Sequence, residues 1–590
     1  MRYDQATQTL RSSATDLANH SHCDYLTQRS RELSIAISEG RAEPPIQTGL
    51  AIEKGIAFEA EYVARRRAEA EAAGGRFIDL AVAAAEQGRG TSRATLRDLA
   101  MCAGIELIAQ APLRTGTVSG FADLLVRVDD AATPSGTLET VHRYEPIEIK
   151  FGRSVRPAYL LQASAYADAI QTLQGAMPVR IHVVTGDGVE HAHVTSEYVE
   201  YFRAARERLG DALELDLAEE LARIPEPVPH CGSCEFKKLC DARWREVDHL
   251  SLVAGIRADQ RTKLGAQGIT TLTQLATTEL EKVTGIGARS LQRLRTQAEL
   301  QLQSRERAAD DAAIAFRDPA DEPAPTGRGF AMLPEPDAAD MFFDFEGYPY
   351  HERGALEYLW GWTTRDAATG KLHFDYIWAD TPAEEHAAFT RFLDLVHEHW
   401  QRSPGMHIYH YAPYEITALR RLAKEHHHEQ HRLDQLLRAG VFVDLFAVVR
   451  QALQVGTESY SIKSLEPLYG IDRSDDELAD GGASIEIYEQ WLTSSDTAVQ
   501  ATILDYNRVD CDSTLALRDW LLAQRADAAA AGIIWPIPPA IVDATDTDLE
   551  AGSEDADPHP TRVLVERLEA VAEDETRSDQ IRLAARLLSA

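Results

Sequence analysis

The sequence predicts a multidomain α/β protein in which two α/β units flank a short helical segment. Three observations carry that expectation. The chain has 590 residues, more than one hydrophobic core organises, so two or three domains are expected. Its texture changes along its length, from mixed helices and short strands, to a purely helical stretch, to a second alternation of strands and helices. Acidic residues also recur on strand-like segments in two separate places, as carboxylates do where a cation is held.

Composition narrows the function. Hydrophobic residues make up 44% of the chain, ample for globular packing. No apolar run nears the ~20 residues that cross a bilayer. The polar start, Met1 to Asp16, lacks the apolar centre of a secretion signal, so a cytoplasmic protein without membrane contact is expected. The 94 acidic and 60 basic residues give a formal charge of -34. That is the wrong sign for coating a polyphosphate nonspecifically, so any nucleic-acid contact has to be local. Six cysteines are too few for a secreted disulfide framework, and the clustering of Cys231, Cys234 and Cys240 points to metal.

Residues 1–246 form the first unit. Gly116 to Val128 is an apolar, β-branched strand carrying Asp123, and Tyr144 to Phe151 reads as its partner. Glu148 and Lys150 stand two apart on it and so share a face. Asp123 and Glu148 suit a hard divalent cation, and Lys150 suits orienting water or offsetting phosphate charge. The next helix offers Gln162 and Tyr166 at i and i+4. Upstream, Gly55-Ile-Ala-Phe-Glu59 opens a helix with another carboxylate. A Glu-x-Lys pair alone is the ordinary alternation of a solvated strand face.

The ordered set of Glu59, Asp123, Glu148, Lys150, Gln162 and Tyr166 resembles the RecB-like branch of the PD-(D/E)XK nucleases, including CRISPR-associated RecB-like exonucleases and the AddB nuclease domain. The resemblance implies a restriction-endonuclease-like fold. It further implies metal binding by Glu59, Asp123 and Glu148, a catalytic Lys150, and substrate or active-site positioning by Gln162 and Tyr166. The chain departs from that pattern in having no proline immediately before Asp123 and in carrying Glu59 where many relatives have histidine.

Cys231-Gly-Ser-Cys234 followed by Cys240 supplies three thiolates of a tetrahedral shell. Cys23 lies far upstream, and RecB-like nucleases with an iron–sulfur cluster show the same one-plus-three distribution. The resemblance implies a 4Fe-4S cluster on Cys23, Cys231, Cys234 and Cys240 that joins the two ends of the domain and couples metal binding to folding. Structural zinc, with His22 or His230 replacing a cysteine, is the competing reading. Cys102 and Cys511 read as ordinary buried thiols.

Residues 250–303 are helical and contain Gly285-Ile-Gly287-Ala-Arg289. This looks like a helix-hairpin-helix, whose glycines permit the tight turn and whose free N–H groups bind a phosphate. Gly285, Gly287 and Arg289 are the expected DNA-backbone contacts, with Arg293 and Arg295 adding positive charge. A helical spacer with glycine caps is the bland alternative. Residues 304–338, rich in proline and aspartate, read as a solvated linker.

Residues 339–540 form the second α/β unit. Asp344 and Glu346 share one face of an apolar strand. Glu415 follows a second strand, Met406 to His410, near a helix start, and Tyr506 and Asp510 share a helix face. These blocks resemble the RNase H-like DEDD exonucleases with a Tyr-x-x-x-Asp third motif. The resemblance implies that Asp344, Glu346, Glu415 and Asp510 hold two Mg2+ or Mn2+ ions and that Tyr506 orients the attacking water. Glu415 departs from the usual aspartate. Residues 541–590 read as an acidic spacer and a C-terminal helix.

In this order the modules resemble a family of RecB-like nucleases that joins a RecB-like domain, a helix-hairpin-helix and an RNase H-like domain. The implied function is a metal-dependent DNA nuclease, an exonuclease on ends or single strands, in repair, recombination or defence. Some relatives continue into a helicase, so a separate helicase is an implied partner. Two other readings stay open: a nonenzymatic nucleic-acid-binding scaffold of degenerate nuclease folds, and an RNA exonuclease. If one site alone cuts, the N-terminal one is expected.

Overall fold

Two mixed sheets, joined by a helical segment, make up the computed structural model, which describes residues 1–44, 49–87, 91–128, 142–322, 324–351, 354–426, 429–473 and 481–537. The expected spacer and helix over 541–590 lie outside these residues. Met1–Pro536 form one compact unit. Among the described residues, no helix is long and apolar enough to cross a membrane.

The N-terminal region begins with β1 (Arg2–Asp4), β2 (Thr9–Ser13), α1 (Ala14–His22), α2 (Asp24–Ser38), α3 (Leu50–Ala72), β3 (Phe77–Asp79), α4 (Leu80–Gln87) and α5 (Arg93–Cys102). It continues with β4 (Leu107–Thr115), β5 (Val118–Val128), β6 (Arg143–Ile149), α6 (Pro157–Gln174), β7 (Arg180–Val184), β8 (Glu190–Val194), α7 (Val199–Glu214), α8 (Leu217–Ala222) and α9 (Lys237–Glu246). Local chemistry sets several boundaries. Ser13 and Asp16 exchange hydrogen bonds at the start of α1 as a capping box, and Pro157 starts α6 while left-handed Gly175 ends it.

The sheet runs β1-β2-β5-β6-β7-β8, with β4 also paired to β5 and β3 to β4. Helices α1, α5, α6 and α7 cover one face, where Leu17, Leu96, Ile170 and Phe202 meet Ile108 and Leu125. On the other, Tyr62 of α3 meets Leu107, Leu124 and Ile147. Both central strands change faces midway: Ala109 and Leu124 belong to the α3 side, Ala111 and Ala122 to the other. Residues two apart ordinarily share a face, so the strands turn over at Gln110 and Asp123, which fall between those pairs. Gln110 does so in the left-handed region, at φ 54.

Three local expectations are corrected here. The strand holding Glu148 ends at Ile149, leaving Lys150 just beyond it with its N–H still donating to the Val184 carbonyl at 2.9 Å. The helix holding Glu59 opens at Leu50, not at Gly55. Cys102 is exposed at the end of α5, whereas Cys511 is buried.

The middle segment folds as α10 (Ala258–Gly265), α11 (Leu272–Thr277) and α12 (Ala288–Ser304) around Leu264, Leu275 and Leu291. Val283 bridges to Ile286, and Gly285 makes the turn at φ 80. The segment expected to be a solvated linker is instead strapped to the C-terminal sheet region. Its strand β9 (Ile314–Phe316) pairs with a later strand, and Phe330 and Leu333 are buried against Trp535. Glu322 accepts from Arg317 at 2.6 Å and from Arg293, so Arg293 is engaged in an ion pair. The prolines and aspartates dominate the composition there, but four apolar anchors bury enough surface to hold the strap.

The C-terminal region contains β10 (Met341–His351), β11 (Gly354–Arg365), β12 (Leu372–Trp378), α13 (Pro382–Arg402), β13 (Ile408–His410), α14 (Tyr414–Glu425) and α15 (Gln430–Arg438). There follow β14 (Phe442–Asp444), α16 (Leu445–Ala452), β15 (Leu453–Val455), which is the partner of β9, α17 (Ile462–Leu465), α18 (Gly481–Ser494) and α19 (Thr497–Ala530). The sheet order is β12-β11-β10-β13-β14, antiparallel up to β10 and parallel beyond. Along β10, Phe343 and Phe345 pack with Phe389 and Phe392 of α13, while Phe342 packs with Val448 and Leu517. Asp344 and Glu346 follow the Phe342 parity and face α19.

Candidate active sites

Asp344 and Glu346 of β10 and Asp510 of α19 bring their carboxylate oxygens within 4.8 Å of one another. The glycine opposite Asp344 makes this approach feasible. Gly361 pairs with Asp344 across the ladder, and a Cβ there would collide with the Asn507 side chain. Helix α19 therefore presses close, and Asn507 donates to Asp344 Oδ2 at 2.8 Å. Burial, then Asp510 and Glu346, hold Asp344 well above the usual carboxylate range. Burial and Asp510 push Glu346 up to about 8. Carboxylates crowded in this way need protons or a cation between them. An all-oxygen donor set of this kind fits a hard divalent ion.

Two cations rim the cluster. Lys463 donates to the Tyr506 hydroxyl at 3.1 Å. Arg473 donates to Asp510 at 2.5 Å and to Glu466 at 2.6 Å. Lys463, Arg473 and Asn507 were not anticipated from the sequence. Asn507 lies inside the Tyr506–Asp510 block, whereas Lys463 and Arg473 stand 43 and 33 residues before Tyr506, too far for a local pattern to link them to it. Glu415 sits in the first turn of α14 but outside the three-acid group, buried beside His410 Nδ1 at 3.3 Å. Its charge still contributes to raising Asp344.

At the N-terminal cluster, Asp123 accepts from the Ile149 N–H at 2.7 Å. Glu148 is 1% exposed and pairs with Lys150; apart from that ammonium its oxygens have no partner among the described residues. Glu59 accepts from the Gln110 amide at 2.6 Å. Burial, then Glu148 and Glu59, push Asp123 well up. Burial disfavours the Lys150 charge, but Glu148 and Asp123 outweigh it and raise the lysine. Gln162 donates to the Tyr166 hydroxyl at 3.3 Å, and Tyr166 rests on Gly120, where a Cβ would collide with it. Tyr166 also feels Glu148, Asp123 and Glu59. The six residues singled out in the sequence thus share one neighbourhood, although their acids are spaced more widely than the C-terminal trio. Gln110 was missed, because nothing in its sequence context announces a left-handed residue inside a strand.

The four clustered cysteines form no disulfide. Burial, then Cys234, Cys231 and Cys23, push the Cys240 thiol up to about 11. Cys23 Sγ accepts from the Leu26 N–H and Cys231 Sγ from the Val228 N–H, both at 3.4 Å. Tyr25 and Trp244 pack around them. The four thiols are near enough to raise one another, but among the described residues no three of them converge as tightly as the three C-terminal acids do. His22 and His230 stack beside them at 4.9 Å between ring centres. In the middle segment, Gly285 O accepts from Lys263 at 3.0 Å, and Arg289 is exposed at the start of α12.

A family model described as RNase_H superfamily matches residues 341–522, the span holding Asp344, Glu346, Glu415, Tyr506 and Asp510. No curated protein matches the chain. The C-terminal region is RNase H-like. It supports a nuclease-type action on nucleic acid, and its acidic cluster fits the divalent metals such folds typically use.

Proposed function

We propose that the chain is a divalent-cation-dependent DNA nuclease, an exonuclease on ends or single strands, working in repair or defence. The observation that carries this reading is the closure of Asp344, Glu346 and Asp510 to within 4.8 Å inside the RNase H-like region. Mg2+ or Mn2+ held by these residues, with Glu415 beside them, would stabilise the attacking and leaving oxygens of phosphodiester hydrolysis. The chain's own residues take the remaining tasks. Tyr506 orients the attacking water from one helical turn before Asp510. Asn507 fixes the Asp344 carboxylate. Lys463 and Arg473 set positive charge where a phosphate arrives, which a chain of net charge -34 has to supply locally.

The N-terminal region, residues 1–246, is proposed as a restriction-endonuclease-like, RecB-like second nuclease. Glu59, Asp123 and Glu148 would hold a cation there, Lys150 would act on the phosphate, and Gln162 and Tyr166 would position substrate. Cys23, Cys231, Cys234 and Cys240 would hold a 4Fe-4S cluster. Residues 250–303 would meet the DNA backbone as a helix-hairpin-helix through Gly285, Gly287 and Arg289. A cytoplasmic setting and a separate helicase partner complete the reading. The tighter acid cluster ranks the C-terminal centre first, where sequence alone favoured the N-terminal one. The position of Glu415 outside the trio favours a nonenzymatic scaffold as the second reading.

The test is digestion of single-stranded DNA, labelled at either end, and of matched RNA, with Mg2+ or Mn2+. Wild type should shorten DNA from an end, and Asp344→Ala and Asp123→Ala should remove different products. No cleavage by wild type would favour the scaffold; cleavage confined to RNA would favour an RNA exonuclease.

A further inference from the structure

One cation beside the C-terminal acids is buried and fixed. Arg473 Nη2 donates to Asp510 Oδ1 at 2.5 Å and to Glu466 at 2.6 Å, and its Nε donates to the same Glu466 oxygen at 3.0 Å. Glu466 is itself held by the Ser513 hydroxyl at 2.7 Å. The Arg473 side chain is 8% exposed, and its Nη1 is buried with no acceptor among the described residues. An arginine keeps its charge at every working pH, so Asp510 carries a permanent cation on one oxygen.

The acids themselves are spaced for one ion. Oxygens on opposite sides of Mg2+ stand about 4.2 Å apart, at about 2.1 Å each from the metal. That is close to the 4.8 Å within which Asp344, Glu346 and Asp510 meet. A second ion, about 3.5–4 Å from the first, needs a further carboxylate turned toward the group. Glu415 is the acid that the sequence pattern offers, and it lies outside that span with Oε2 3.3 Å from His410 Nδ1. We infer that this centre takes a single divalent ion, and that the Arg473 guanidinium supplies the second positive charge, with Nη1 left to meet a phosphate oxygen of the nucleic acid. Asp510 is then shared between the ion and the arginine, so one carboxylate aligns both charges. Glu466 accepts from two nitrogens of the guanidinium and so fixes its plane.

The inference rests on the reading that these acids bind a divalent cation, and counting ions separates the two. The protein is the full chain with Asp123→Ala. The probes are Mn2+ alone and Mn2+ with thymidine 5′-monophosphate, followed by electron paramagnetic resonance. Adding Asp344→Asn should remove one bound Mn2+ in both conditions, and no signal of a coupled Mn2+ pair should appear before it. Arg473→Met, similar in length but uncharged, should bind that ion about threefold or more tightly, because a rival cation has gone. It should also release nucleotides from single-stranded DNA about a hundredfold or more slowly. Arg473→Lys, which keeps the charge but loses the planar fork, should recover part of that rate. Loss of two Mn2+ with Asp344→Asn would overturn the inference and leave the cation reading standing, and loss of none would overturn both. Weaker Mn2+ binding in both Arg473 variants would also overturn it, reducing the arginine to a brace for Asp510.

Discussion

Gln110 holds a backbone conformation that disfavours any side chain with a Cβ, at a cost of about 1–3 kcal/mol. The structure keeps it there because the turnover at Gln110 and Asp123 aims one amide at Glu59 and one carboxylate at the Ile149 N–H. Ala412, at φ 74, plays a related part between His410 and Glu415. Glu59 and Glu415 thus each have a left-handed non-glycine residue nearby. A third residue, His182, ties the N-terminal sheet together from inside, with Nε2 3.0 Å from Glu145 and Nδ1 2.9 Å from Glu190. Burial opposes its charge, but the hydrogen bonds to Glu145 and Glu190 push it up to about 9 from the usual 6.5. A raised histidine stabilises the fold fully below about pH 6.5 and loses that contribution as pH rises through about 9. His182→Gln should therefore lower the melting temperature at pH 6–7 and make little difference at pH 10. An equal loss at both pH values would remove the charge from this account.

At the scale of elements, the cysteines are a joint. Cys23 sits at the boundary of α1 and α2, Cys240 lies within α9, and Cys231 and Cys234 occupy the turn before α9. A group bound by all four would fasten the start of the region to its end, closing a loop of more than two hundred residues. Anaerobically purified protein should be brown and contain iron, and Cys234→Ser should lose both the colour and protection of α2 and α9 from hydrogen exchange. Stoichiometric zinc without iron would contradict the cluster assignment.

The same scale decides what the sequence could reveal. The apolar run Met341 to Phe345, interrupted by Asp344, could only be a buried strand with its acids on one face. The four-residue spacing of Tyr506 and Asp510 fixed their shared helical face. The strap over 304–338 escaped notice because Ile314, Phe316, Phe330 and Leu333 are too far apart to give a period. Gly361 and Asn507 were invisible for another reason: their partnership depends on a helix packing on a strand more than a hundred residues away. The exposure of Cys102 depends likewise on where α5 docks.

At the scale of the whole molecule, the two acidic centres belong to one body. Strand β10 runs on past Glu346 to Tyr350 and His351, which meet the residues just after Lys150. The Phe151 and Tyr350 rings are 6.0 Å apart, and Arg153 donates to the His351 carbonyl at 2.6 Å. Helix α3, which carries Glu59, is held at its start by Leu50 against the Tyr348 cluster and by the Lys54–Glu489 ion pair at 2.7 Å. Helix α3, with Glu59, and the segment that follows Lys150 thus lean on the RNase H-like region. The central claim remains that Asp344, Glu346 and Asp510 make a cation-dependent cleavage site. Its most direct measurement is the Mg2+-dependent rate of nucleotide release from end-labelled single-stranded DNA, with Lys150→Ala silencing the N-terminal centre. Adding Asp510→Asn, which keeps the side-chain volume and removes the charge, should lower that rate by about a hundredfold or more. A rate unchanged by Asp510→Asn would contradict the account.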